Sequence, residues 1–101
     1  MLAEFSIVPL GLGSSVGDKL AIALHIVDAS GMPYKVNPMG TVVEGDWDEI
    51  MALVKKCRDE LMKTEDRLLI SIKIDDRKGR RNRIEEKVAS VEKRLGRELR
   101  K

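Results

Sequence analysis

The stretch from Asn37 to Gly45, NPMGTVVEG, sets a side-chain amide, a hydroxyl and a carboxylate around a proline–glycine turn and a short apolar strand. Such a segment presents an acid, Glu44, at a strand end, with Asn37, Met39 and Thr41 flanking the turn before it. A second run, IKIDDR from Ile72 to Arg77, also finishes on acids after an apolar alternation. Clustered carboxylates suit an organic cation or a hard metal ion. The plainer role for Asp75 and Asp76 is pairing with Arg77 and neighbouring amides. Glu44 has two roles open as well: contact with a ligand, or pairing with Lys73 across a sheet or acceptance from the amides of the second helix. In GLGSSVG, residues 11 to 17, glycines before a helix start expose amides to an anion, or simply make a tight turn with a serine cap. The segment lacks the lysine and hydroxyl pair of a nucleoside-triphosphate loop. With one histidine and one cysteine, spaced zinc ligands and a serine–histidine–acid set have no basis. His25 lies opposite the apolar stripe of its helix and reads as solvated or as a subunit contact, while Cys57 falls on a buried stripe and reads as inert.

The elements that must position these groups follow from hydrophobic period. Residues Leu2 to Val8 alternate as a strand, with Ala3, Phe5 and Ile7 on one face and Glu4, Ser6 and Val8 on the other. A helix begins near Ser14 or Ser15 and stacks Val16, Leu20, Ala23, Leu24 and Val27 along one stripe until Gly31 stops it. Met32 to Asn37 and Gly40 to Glu44 then form a hairpin across Pro38 and Met39. Asp46 caps a second helix, and Glu49 three residues on completes a capping box ahead of a stripe of Ile50, Leu53, Val54, Cys57 and Leu61. The last strand turns Leu68, Ile70, Ile72 and Ile74 one way and Leu69, Ser71, Lys73 and Asp75 the other. A basic loop, Arg77 to Arg83, leads to a third helix striped by Ile84, Val88, Val91, Leu95 and Leu99.

This order gives an α+β protein: a ferredoxin-like βαββαβ sandwich with an antiparallel sheet and an additional C-terminal helix, as one domain over residues 1–101. A chain of 101 residues, 43% hydrophobic, supports one core. Its net charge of +2 is too small to imply a polyanion partner. Two helices cover one sheet face. The other face carries Glu4, Ser6, Val8, Lys35, Asn37, Val42, Glu44, Leu69, Ser71, Lys73 and Asp75, too apolar a mixture for ordinary solvent exposure. The third helix or a second subunit is expected to cover it. By the same parity Tyr34 sides with Val36 toward the helices and the core, although its ring could also stack on a flat heterocycle.

Three segments, PLGLGSSV, SGMPYKVNPMGTVVEG and IKIDDR, together resemble the thiamine-binding protein family, small ferredoxin-like proteins long grouped only as a conserved family of unknown function. The resemblance spans nearly the whole chain in order and spacing. It implies a cytoplasmic homotetramer built from dimers that binds thiamine, or its hydroxymethylpyrimidine portion, without known catalysis; no cofactor and no metal ligand set is assigned, and metal binding at the acidic strand ends is left open. An aminopyrimidine has an amino donor beside a ring nitrogen, an edge that a carboxylate engages when the ring is protonated. The candidate ligand residues are therefore Glu44, Asn37, Met39, Thr41, Ser6, Lys73, Asp75 and Tyr34.

Two other classes stay open. Arg77, Lys78, Arg80, Arg81 and Arg83 concentrate positive charge, which on a ferredoxin-like sheet suggests an RNA-associated module. Such a module stacks bases on outward aromatics, and Phe5 falls on the inner face. An enzyme with a site completed between subunits by Glu44 and Asp75 is the other alternative. The N-terminus, MLAEFSIV, has neither a basic leader region nor a long apolar run, so no signal peptide, membrane span or membrane partner is expected, and the single cysteine fits a reducing, cytoplasmic setting.

Overall fold

A computed structural model describes residues 1–11, 16–79 and 83–100. Its elements run β1 (Leu2–Pro9), α1 (Val16–Ala29), β2 (Tyr34–Asn37), β3 (Gly40–Glu44), α2 (Trp47–Leu61), β4 (Leu68–Asp75) and α3 (Arg83–Leu95). The four strands form one open sheet in the order β2-β3-β1-β4, with every neighbouring pair antiparallel. This is the α+β ferredoxin-like arrangement expected from the strand and helix order.

The register fixes which side chains share a face. Phe5 stands between Thr41 and Ile72, Ala3 between Val43 and Ile74, and Leu2 between Glu44 and Asp75. Alternation then aims Ala3, Phe5, Thr41 and Val43 at the helices and leaves Glu4, Val42, Glu44, Lys73 and Asp75 on the far face. The core forms where α1 and α2 lie on the centre of the sheet, around Ala3, Phe5, Ala23, Val27, Val43, Ile50, Leu53, Val54 and Cys57. The α2 stripe is buried as its spacing requires, Ile50, Leu53, Val54, Cys57 and Leu61 all lying inside. The capping box closes as well, Asp46 Oδ1 accepting from the Glu49 N–H at 2.8 Å and Glu49 Oε1 from the Asp46 N–H at 3.0 Å. Gly31, at a φ of 78°, supplies the left-handed residue that carries the chain out of α1.

Two expectations about burial need correction. The apolar ladder of β4 is only partly covered: Ile72 is 38% exposed while Phe5, its register partner, is 4% exposed. The helices sit over β1, and β4 is the sheet edge. Tyr34 does not reach the core. It is 40% exposed at the start of the other edge strand, where its hydroxyl donates to Asp28 Oδ1 at 2.8 Å. That carboxylate raises the phenol above its ordinary value, through the hydrogen bond first and its charge second.

The third helix meets the sheet at β3. Ile84 and Val88 are half-buried there, but Val91 and Leu95 further along the stripe are exposed. The molecule measures 48 × 28 × 21 Å with a radius of gyration of 15.2 Å, against about 13 Å for a compact chain of this length. The outer face is thus covered by α3 at one end only. No helix among the described residues is long and apolar enough to cross a membrane.

Candidate functional site

A cleft of about 180 Å³ opens where the β2–β3 hairpin, the second half of β1 and α1 converge. The hairpin is closed by Pro38 and Met39 between the paired residues Asn37 and Gly40. Proline presets the turn, and Gly40 is required by the close approach of β1. A Cβ there would lie 3.1 Å from Glu4 Cγ and 3.2 Å from the Phe5 carbonyl oxygen. Phe5, Leu20, Ala23, Leu24 and Val36 give the cleft apolar walls, and Ser6, Asn37, Met39, Gly40 and Thr41 also border it.

Thr41 is the informative group. It is 95% removed from solvent, being only 5% exposed, and its side chain has no hydrogen-bond partner among the described residues. A buried hydroxyl left unpaired costs about 1–3 kcal/mol, so its presence in a cleft makes Thr41 a candidate contact for a ligand group. Leu20 belongs to the α1 core stripe yet is 47% exposed, and Met39 at the turn is 87% exposed. Both border the cleft, which leaves apolar surface at its mouth. The volume is below the roughly 300–1,000 Å³ of sites for drug-sized ligands, and it suits one ring rather than two.

The structure divides the residues predicted from sequence. Ser6, Asn37, Met39 and Thr41 come together at this cleft. Glu44 does not join them. It lies three residues from Thr41 along β3, roughly 10 Å away, and faces the opposite side of the sheet. There it is 9% exposed and Oε1 accepts the Ile84 N–H at 3.4 Å, so the amide that reaches it belongs to the first turn of α3 and not to α2. Lys73 is opposite Glu4 in the register and forms no cross-sheet pair with Glu44. Asp75 Oδ2 accepts from Lys87 Nζ at 2.6 Å, again tying the outer face to α3. Tyr34 is engaged with Asp28 outside the cleft lining. The anion-binding reading of GLGSSVG falls mainly on residues 12–15, which lie outside the described residues, as do Arg80 and Arg81 of the basic loop.

The walls contributed by Phe5, Ala23 and Val36 were legible only as core, because an apolar stripe has the same spacing whether it meets another side chain or a ligand. Cys57 is wholly buried, its Sγ donating to the Ala23 carbonyl at 3.8 Å, and burial pushes the thiol up to about 11. His25 is exposed on α1. Among the described residues, no group of three or more histidine, cysteine or carboxylate side chains is placed to hold a metal ion.

Residues 3–92 match the family model described as thiamine-binding protein. The chain is 38% identical over 91 residues to the UPF0045 protein MJ1052 of Methanocaldococcus jannaschii, covering 90% of this chain and 91% of that one. It is 39% identical over 96 residues to a UPF0045 protein of Mycobacterium bovis, covering 94% of each. The crystal structure of MJ1052 superposes with a TM-score of 0.80 at 39% identity, over 89% of this chain and 93% of that one. A Thermotoga maritima structure, provisionally named as a thiamine biosynthesis/salvage protein, gives a TM-score of 0.79 at 30% identity over 89% and 96% of the two chains.

Proposed function

We propose, since the chain belongs to the thiamine-binding protein family, that it is a non-catalytic binder of thiamine or its hydroxymethylpyrimidine portion, and that the pyrimidine ring enters the cleft between α1 and the β2–β3 hairpin. The observation that carries this reading is Thr41, a buried hydroxyl without a partner among the described residues in a largely apolar cleft. An aminopyrimidine supplies what such a site lacks. Its faces are apolar enough for Phe5, Leu24 and Val36, while its edge has an amino donor and ring-nitrogen acceptors for Thr41 and the Asn37 amide. A cleft of about 180 Å³ holds that ring and leaves the thiazolium and hydroxyethyl portion at the exposed mouth, near Met39 and Leu20.

The mouth also supports the reading that the ligand is held at or near a subunit interface. Leu20, Val36 and Met39 are large apolar side chains exposed around it, and a second copy would cover them. A homotetramer built from dimers would further use the half-covered edge strand β4 and the bare stripe of α3. The enzyme alternative gains nothing within one chain, because Glu44 and Asp75 are separated by Leu2, about two strand spacings or roughly 10 Å apart, and Asp75 is engaged by Lys87.

The test is a thermal-unfolding titration of the purified protein with thiamine, hydroxymethylpyrimidine and their phosphates. A ligand held by the folded state alone raises stability by about 2.7 kcal/mol at a hundredfold excess over its Kd. Hydroxymethylpyrimidine and thiamine are both expected to raise the midpoint, since the cleft recognises the ring they share. No shift from either at millimolar concentration would remove the reading.

A further inference from the structure

A second hollow, about 660 Å³, lies at the opposite end of the sheet, among Met32, Glu44, Trp47, Asp76, Arg77 and Lys78. Its lining includes a buried carboxyl with few partners. Glu44 is 91% buried, being 9% exposed, and the one hydrogen bond of its carboxylate among the described residues is the long 3.4 Å contact from the Ile84 N–H to Oε1. Oε2 has no partner, and no cation lies within 4 Å of the carboxylate, among the described residues. A buried carboxylate ordinarily accepts several hydrogen bonds or meets a counter-charge, because desolvating an ion costs several kcal/mol. Arg77 and Lys78 line the same hollow, are exposed, and are in no ion pair among the described residues. Opposite charges thus border one space without meeting.

The remaining lining narrows what would fit. Asp46 and Glu49 are occupied with each other's backbone amides in the α2 capping box. No group of three candidate ligands for a metal ion forms among the described residues, so the cation complementary to Glu44 is one that makes hydrogen bonds. Trp47, 57% exposed, lines the same hollow, and an indole face attracts a cation brought to Glu44.

We infer that this hollow is a second ligand site, distinct from the cleft, for a small zwitterion whose ammonium group bonds to Glu44 beneath Trp47 and whose phosphate or carboxylate meets Arg77 and Lys78. Ammonium donors reach the unpartnered Oε2 and give the buried charge its counter-ion. The anionic end stays near the surface, where lysine and arginine bind it at little desolvation cost.

Trp47 is the one tryptophan of the chain, so its fluorescence reports on this hollow directly. Three probes separate the components: phosphoethanolamine carries both charges, ethylammonium the cation alone, and inorganic phosphate the anion alone. Phosphoethanolamine is expected to give a saturable change in Trp47 emission at least tenfold tighter than either fragment, and Glu44→Gln to weaken it at least tenfold. Arg77→Ala with Lys78→Ala is expected to reduce phosphoethanolamine to the affinity of ethylammonium. This second variant changes exposed side chains and carries the test if Glu44→Gln does not fold. Saturating thiamine should leave the phosphoethanolamine titration unchanged. Any of three results overturns the inference: no emission change with phosphoethanolamine at millimolar concentration, phosphate binding as tightly as phosphoethanolamine, or displacement by thiamine, which would make the two sites one.

Discussion

At the scale of single residues, Thr41 separates ligand binding from stability. Its hydroxyl has no partner among the described residues, so Thr41→Val removes an unsatisfied buried group and leaves the shape nearly unchanged. The variant is expected to be more stable by about 1 kcal/mol in urea denaturation, and to lose about tenfold in affinity for hydroxymethylpyrimidine. A residue that merely filled the core would not move these two quantities in opposite directions. Cys57 gives a pH dependence with a definite sign. Its thiol rises from an ordinary value of 9.0 to about 11 through burial. Below pH 9 the folded and unfolded chains both keep the proton. Between the two values the unfolded thiol ionises and the folded one does not, so stability falls as pH rises through that window. Denaturation midpoints from pH 8 to 11 should show a steeper decline for the wild type than for Cys57→Ala. Sequence could name Thr41 and Cys57 but not rank them, because burial and the absence of a partner are properties of the packed molecule.

At the scale of elements, α2 and the β2–β3 hairpin show why some segments are legible and others are not. Both the cap and the buried face of α2 are encoded locally, by Asp46 and Glu49 at capping-box spacing and by Ile50, Leu53, Val54, Cys57 and Leu61 on one stripe. Asp46→Ala is expected to cost about 1 kcal/mol of stability with no effect on ligand affinity, measured by denaturation and titration together. Gly40 behaves differently. Alanine there would press on the Phe5 carbonyl at 3.2 Å and on the Glu4 side chain at 3.1 Å, and the backbone atom has little room to yield. Gly40→Ala is expected to cost about 1–3 kcal/mol and to weaken ligand binding as well, since the hairpin forms one wall of the cleft. The burial of β4 and Tyr34 was misread for one reason. Alternation reports which way a side chain points, whereas coverage depends on where the helices lie, and here they favour β1 over the two edges. Parity put Glu44 on the outer face, where the register also leaves it, but could not show that α3 would reach it.

At the scale of the whole molecule, the βαββαβ order and its crossovers left little freedom in strand order, and the matched relatives share the arrangement. What the order could not convey is how incompletely one chain covers itself. The exposed Val91 and Leu95 on α3, with Leu69, Ile70 and Ile72 on the edge strand, call for a partner surface, and we propose other copies of the chain as that partner. Val91→Asp with Leu95→Asp is expected to lower the assembly mass in native mass spectrometry while leaving the helical circular dichroism of the folded subunit intact. The cleft is tested most directly by one measurement, isothermal titration calorimetry of the purified protein with hydroxymethylpyrimidine and thiamine, wild type beside Thr41→Val. The expected result is one ligand per chain, similar affinity for the two compounds, and about a tenfold loss in the variant. Binding of equal strength in Thr41→Val, or no heat of binding from either compound, would contradict the assignment of the cleft.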